Sequence, residues 1–325
     1  MPPVGVIPSP AAAVHPPRLE QFAPPTSAPA GPAPFAPALI EQQVEAVARE
    51  VDALREELEA VRRRDEALNA YLRRMDEELR LAARLQQDFL PKEIPEVGRV
   101  RFHTLFRPAG YVSGDLYDVM RLDEKRVGFY MADAVGHGVP AALLTMFIKQ
   151  ALQTKEIQSR GRGYRLLDPG EALRRLNERL LDQNLSHSTF ATALYGTIDF
   201  DTLEMTVARA GHPHPIVLRA GGAIETLAVE GCLLGVFPDE TFANYTTQLH
   251  PGDRMLVYTD GMDVAFAGGA EGAAVETPRW QYELVRRRHL PVEQILAEFS
   301  QALDAETASL RPKDDVTMVV VEVTE

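Results

Sequence analysis

The chain has a single cysteine, Cys232, among its 325 residues. That excludes an internal disulfide and a thiolate zinc site, and it suits a reducing compartment. No run approaches the roughly 20 apolar residues that span a bilayer, and the chain does not open with a basic segment followed by an apolar one. Neither a membrane partner nor a leader is expected, and the expected location is cytoplasmic. A basic excess is missing too. The formal net charge is −13, and phosphate backbones reward basic patches, so nucleic acid is not expected as a partner. The cluster Arg286-Arg287-Arg288 reads as a solvated helix face. The GCLLG around Cys232 is not the phosphate loop of a thiol phosphatase. A triphosphate-binding loop and a recognisable nucleotide base pocket are also lacking, which argues against a cyclic-nucleotide or diguanylate enzyme.

What is present falls into three parts. Residues 1–38 hold 12 of the 24 prolines, many alanines and almost no charge. Such a segment buries too little apolar surface to offset the entropy of ordering it, and it reads as a disordered tail. From Leu39 the composition turns to Glu, Arg, Leu and Ala, with no Gly or Pro before Pro91. Apolar residues at Val44, Val47, Val51, Leu54, Leu58, Val61, Leu68, Leu72, Met75, Leu79, Ala82 and Phe89 step by three and four. This is a heptad seam, interrupted at Asp65 and Gln86. With Val44 at position a, Glu50 and Glu57 fall at g, and Arg55 and Arg62 at the e positions that face them on a parallel partner. The pattern predicts a coiled-coil helix over 39–90 that pairs two copies into a parallel homodimer. The last turns, Leu79 to Leu90, are the stretch best suited to packing on the chain's own domain instead.

Pro91 and Pro95 end the helix, and residues 91–325 read as one compact domain. Strands are expected at 100–106, 190–200, 205–209, 216–219, 255–259 and 316–323. Helices are expected at 139–157, at 171–185 and from Pro291 through Ala305. Strands without strict βα alternation predict an α+β fold, a sandwich of antiparallel sheets covered by helices. Residues 266–279 have no periodicity and read as a flap or an insertion.

The organising stretch is SGDLYDVMRLDEKRVGFYMADAVGHG, residues 113–138. Two strands joined by a polar turn at Asp123-Glu124-Lys125 put Asp115 at the start of the first and Asp133 at the end of the second. Antiparallel pairing then brings the two carboxylates together. Gly114, Gly136 and Gly138 flank them, and glycine lets a backbone turn sharply or approach an ion closely. YTDG at 258–261 adds Asp260 just after an apolar strand, and KDDV at 313–316 adds Asp314 and Asp315 just before one. Carboxylates gathered at strand ends with no basic neighbour repel one another unless cations sit between them. Mg²⁺ and Mn²⁺, which take oxygen ligands, suit this set better than zinc, because no His or Cys cluster has ligand spacing.

SGDLYD, ADAVGHG, TFATALYGTID at 189–199, ARAGHPHP at 208–215, YTDGM and DDVTMVVVEV resemble, in order, the motifs of the SpoIIE/RsbU branch of the PPM metal-dependent protein phosphatases. LQQDFLPKEIPEV at 85–97 is similar to the entry segment of that branch. The resemblance implies an αββα sandwich with two Mn²⁺ or Mg²⁺ ions between its sheets. It also implies hydrolysis of phosphoserine or phosphothreonine on a regulatory protein, a STAS-type anti-anti-sigma factor, by a metal-bridged hydroxide. Asp133 would bridge the metals and the carbonyl of Ala134 would add a ligand. Asp115, Asp260 and Asp314 would complete the set directly or through water, Asp118 would stand in an outer shell, and Asp315 is the alternative to Asp314. His137 and His212 are candidate proton donors to the leaving oxygen, each equally a turn residue. Arg107 is a candidate phosphate clamp or a surface salt bridge. Ser113, Ala134 and Val264 depart from the branch, which usually has Gly, Gly and Glu there. The coiled coil would be the input device, with dimer geometry setting how the helix end packs and so whether the metal site assembles. The alternative is a phosphatase-like adaptor that binds phosphoproteins without hydrolysing them.

Overall fold

The computed structural model describes residues 37–324 apart from 159–162, 184–188, 267–277 and 307–313. The proline-rich tail up to 36 and nearly all of the 266–279 stretch lie outside the described residues.

Helix α1 (Pro37–Phe89) runs unbroken for 53 residues, as expected of a segment with no Gly or Pro and many good helix formers. The chain divides into two compact units between Asn69 and Ala70. In the first unit the seam residues Val44, Val47, Leu54, Leu58, Val61 and Leu68 are exposed. Asp65 accepts a bond from Asn69 on the same helix.

The second unit takes in the last turns of α1 and then β1 (Val100–Arg107), β2 (Asp115–Arg121) and β3 (Arg126–Ala134). After these come α2 (Val139–Ala151), a hairpin of β4 (Lys155–Ile157) and β5 (Tyr164–Leu166), and α3 (Pro169–Asp182). Strands β6 (Ala191–Asp199), β7 (Glu204–Ala210), β8 (Ile216–Leu218), β9 (Ile224–Thr226), β10 (Tyr245–Gln248) and β11 (Arg254–Tyr258) follow. The chain closes with α4 (Gly261–Ala265), α5 (Arg279–Arg286), α6 (Val292–Glu306) and β12 (Val316–Val323). One sheet has the order β1-β12-β11-β8-β9, the other β10-β7-β6-β3-β2. Every pairing in them is antiparallel.

Strand alternation sorts the side chains into three apolar layers. Tyr117, Phe129, Met131 and Leu194 from one sheet meet Val257, Val319 and Val321 from the other. On the outer face of the β3 sheet, Ala132, Ala193 and Tyr195 pack under Leu144, Ile148, Leu173 and Leu176 of α2 and α3. On the outer face of the β12 sheet, Met318, Val320 and Leu256 pack under Trp280, Leu284, Ile295 and Phe299 of α5 and α6. The result is the expected αββα sandwich.

One predicted helix is too long. The expected 139–157 helix stops at Ala151, with Leu152 extended, and Lys155–Ile157 pairs with Tyr164–Leu166 as a hairpin. No Gly or Pro marks that change, and the β-branched Thr154 and Ile157 are the only local signal for it. The α3 start was more legible: Asp168 accepts the Glu171 backbone N–H and Pro169 opens the first turn.

Candidate functional site

The turn after β2 is closed by Asp123, which accepts the backbone N–H groups of Lys125 and Arg126 at 2.8 and 2.7 Å. It sets a register in which Asp115 lies opposite Asp133. The next strand continues the row, with Thr192 of β6 opposite Asp133. Asp115, Asp133 and Thr192 share the parity of Tyr117, Met131 and Leu194, so all three face the other sheet at one end of the sandwich. From that other sheet come Asp260, which follows β11, and Asp314, which precedes β12. Asp133, Asp260, Asp314, His137 and Thr192, with residues 134–136 and Phe190, line one cleft of about 390 Å³.

Asp115 is buried beside Asp133 rather than lining the cleft, at 2% exposure. Its Oδ2 accepts from Thr259 Oγ1 at 2.9 Å and Thr317 Oγ1 at 2.6 Å. These threonines belong to the opposite sheet, so the bonds tie the two sheets together at the site. Sequence reasoning passed over both, although each stands within two residues of a flagged acid, in TDG and DDVT. Burial, and then the Asp133 charge, push the Asp115 carboxyl well above the usual range. Burial and the charges of Asp260, Asp314 and Asp315 push Asp133 up to about 7. Asp314 is raised too, by burial first and by Asp260 and Asp315.

Asp315 has a different part. Its two oxygens accept the backbone N–H groups of Ala109 and Gly114, each at 2.6 Å. It straps the loop before Asp115 to β12, leaving Asp314 as the acid of the pair that faces the cleft. Gly261 allows that approach, since a Cβ there would stand 1.8 Å from the Asp315 carbonyl oxygen. The same loop is gripped from the other side by Gln86, buried at 6% exposure. Its amide nitrogen donates to Ser113 O at 2.7 Å, and its oxygen accepts Ser113 N–H at 2.8 Å. The interruption in the heptad seam is therefore a clamp on the residue two before Asp115.

Three of the sequence-nominated residues lie elsewhere. Asp118 sits three residues beyond Asp115, hence on the opposite face of β2, where it pairs with Lys149 of α2 at 2.6 Å. It is not an outer-shell acid of the cleft. Arg107, expected either as a phosphate clamp or as a surface salt bridge, pairs with Asp304 of α6. His212 is fully buried behind Thr192, its Nδ1 2.9 Å from Thr192 Oγ1. Burial and the neighbouring Arg209 charge hold its pKa down at about 3, so it is neutral at ordinary pH and no imidazolium donor. His137, by contrast, does line the cleft.

Among the described residues, no three acidic, histidine or cysteine side chains converge to ligand distance around one point. The donor set nonetheless suits hard dications. It is all oxygen, the neighbouring acidic charges raise the pKa of Asp115, Asp133 and Asp314, and among the described residues no Lys or Arg forms an ion pair with Asp115, Asp133, Asp260 or Asp314.

A family model described as Stage II sporulation protein E (SpoIIE) matches residues 123–324. The chain belongs to the SpoIIE family. Its place there is of the SpoIIE/RsbU type within the PPM phosphatases, in keeping with the motif order in the sequence. "Phosphoserine phosphatase RsbU" of Bacillus subtilis (strain 168) is 28% identical over 198 residues, covering 61% of this chain and 56% of RsbU. The chain spans about half the length of the curated relatives it matches. Among solved structures, the SiaA-PP2C domain of Pseudomonas aeruginosa matches with a TM-score of 0.64 at 22% identity, covering 78% of this chain and 98% of that one. RsbX in complex with magnesium matches with a TM-score of 0.50 at 19% identity, covering 71% and 99%. These two establish the fold. Among the described residues, no helix is long and apolar enough to cross a membrane.

Proposed function

We propose that this SpoIIE-family chain is a metal-dependent phosphoprotein phosphatase that hydrolyses phosphoserine or phosphothreonine on a regulatory protein. The observation that carries the reading is Asp133, a carboxylate flanked by Asp260 and Asp314 in an open cleft with no basic partner among the described residues. A phosphoserine phosphatase among the relatives and a magnesium complex of a protein of the same fold support it.

Two Mn²⁺ or Mg²⁺ ions would be held by Asp133, Asp260 and Asp314 with the carbonyl of Ala134, and Asp115 would act directly or through water. Bound, such ions lower the pKa of water and neutralise charge on phosphoryl oxygens. The protein's own contribution is to hold the carboxylates ready. The threonine pair fixes Asp115, Asp315 fixes the loop before it, and His137 faces the cleft as a proton donor to the leaving serine oxygen. The substrate class that fits the family is a phosphorylated STAS-type anti-anti-sigma factor. Regulation would come through a parallel homodimer of α1. The exposed seam of its first unit would bury against a second copy, and the Gln86 clamp would carry the packing of the last turns to Ser113.

The test is release of phosphate from a phosphoserine peptide by the full chain with and without manganese. Hydrolysis that needs the metal and falls at least about 100-fold in Asp133→Asn is expected. Tight peptide binding without hydrolysis would instead favour the adaptor reading. Sedimentation of the chain as a monomer at micromolar concentration would sink the dimer.

A further inference from the structure

We propose that Thr192 is a catalytic residue whose hydroxyl donates to a phosphoryl oxygen of the bound substrate, and that His212 is the positioning residue that turns the hydroxyl towards the cleft. The inference rests on the phosphatase reading and assigns it a phosphate contact that none of the acidic residues can supply.

The cleft is short of groups that can donate to an anion. A phosphoryl group entering it meets Asp133, Asp260 and Asp314, three groups that accept hydrogen bonds when ionised and repel an anion. Among the described residues no Lys or Arg lines the cleft, and Arg107 is held away by Asp304. The side chains there that can donate to an anion are His137 and Thr192. Thr192 is the better placed of the two to be fixed. It stands in the middle of a sheet, directly across from Asp133, and residues opposite one another in an antiparallel pair have Cβ atoms about 4.5–5.5 Å apart. The row Asp115, Asp133, Thr192 thus continues two acids with a neutral hydroxyl.

His212 decides what that hydroxyl does. A threonine oxygen can accept one bond and donate another. If Nδ1–H donates to Thr192 Oγ1 across the 2.9 Å contact, the threonine proton is left for the cleft. If Nδ1 is the bare nitrogen, the threonine proton is used up on the ring. Nε2 is buried and has no partner of full hydrogen-bond geometry, the Tyr258 backbone being the one group that also acts on the ring. A buried orphan N–H is rarer than a buried orphan acceptor. The well-formed contact to Thr192 thus assigns the proton to Nδ1, with the Tyr258 backbone as the competing partner that would draw it to Nε2. Burial keeps the ring neutral, as does Arg209, whose Nε donates to the His212 carbonyl. A neutral ring holds one fixed donor and adds no positive charge beside the dication site.

Two measurements test this. The first needs no substrate, metal or variant: ¹⁵N shifts of the His212 ring in the metal-free full chain. Protonation at Nδ1 is expected. A ring protonated at Nε2, donating to the Tyr258 backbone that also acts on it, would overturn the proposal. The second compares Thr192→Val and Thr192→Ser with the wild-type chain for manganese-dependent hydrolysis of a phosphoserine peptide, for inhibition by inorganic phosphate, and for manganese affinity by calorimetry. The valine variant should lose about 10- to 100-fold in kcat/KM and bind phosphate more weakly. The serine variant should stay within about threefold, and manganese affinity should change by less than about twofold in either. Wild-type kinetics and phosphate affinity in Thr192→Val would refute the assignment. So would a loss of manganese affinity in step with activity. A wild-type chain with no metal-dependent hydrolysis would instead defeat the phosphatase reading itself.

Discussion

At the scale of single residues, the site depends on close approach as much as on charge. Gly261 follows Asp260 as the first residue of α4, and a methyl group there would meet the Asp315 carbonyl oxygen at 1.8 Å. That oxygen is backbone and cannot swing aside. Gly261→Ala should therefore cost about 3 kcal/mol or more in thermal or denaturant unfolding and weaken manganese binding, because Asp260 and Asp315 must part. Gly221→Ala, with nothing within 4 Å of the added Cβ, is the control and should stay within about 0.5 kcal/mol of wild type. If the two variants unfold alike, close packing at Gly261 is not what holds this corner. Parity also governs the site. Asp115 and Asp133 were legible as a pair because a short polar turn fixes the register, and Asp118 was excludable by the same arithmetic, since a residue three along a strand faces the other way. His212 was not legible in that manner. Nothing in AGHP distinguishes a buried neutral imidazole from an exposed one.

At the scale of elements, α1 shows what periodicity can and cannot tell. A heptad pattern records that one face of a helix is apolar and leaves open what covers it. Over Val44 to Leu68 the face is open in the single chain. At Gln86 the same face carries a polar residue because its partner there is a backbone: both Ser113 groups pair with the one amide. Gln86→Leu would mend the heptad and break the clamp, leaving a buried N–H and C=O without partners. The expected cost is about 2–4 kcal/mol, a fall of about 5–10 °C in Tm for a domain of this size. Faster hydrogen exchange at the Ser113 amide should accompany it. A variant with equal or higher Tm would show that α1 packs here through its apolar residues alone. The sandwich core was readable for a related reason. Long apolar strands such as β3, β6 and β12 carry their own signal, whereas the three-residue β4, β5 and β9 are too short to show a period, and α5 follows a stretch with none.

At the scale of the whole molecule, the acidic cleft is a cost that the rest of the fold carries. Asp133 ionises near 3.8 when unconstrained and at about 7 in the folded, metal-free protein. Between those two values the folded state binds the proton and the unfolded state does not, so stability falls as pH rises from about 4 to about 7 and is level beyond. The size of this contribution is on the order of 4 kcal/mol at most. Groups with depressed pKa act in the opposite direction. Glu322, lowered by His103 first and by Arg254, stabilises above its unfolded pKa of about 4.5 and loses that as pH falls. A single melting curve against pH therefore mixes the two, and the difference between wild type and Asp133→Asn separates them. Asparagine cannot ionise, so in the absence of metal the variant should match wild type within about 1 kcal/mol near pH 4 and become progressively the more stable as pH approaches 7. Manganese should reverse the order at pH 7, raising the Tm of wild type and leaving that of the variant nearly unchanged, because a ligand that binds only the folded state stabilises it by mass action. If the gap between the two proteins is flat from pH 4 to 7, Asp133 does not carry the electrostatic strain assigned to it. A gap that opens with pH and stays open in saturating manganese would mean that the strain is real but divalent ions do not relieve it, and the cleft would need another cation.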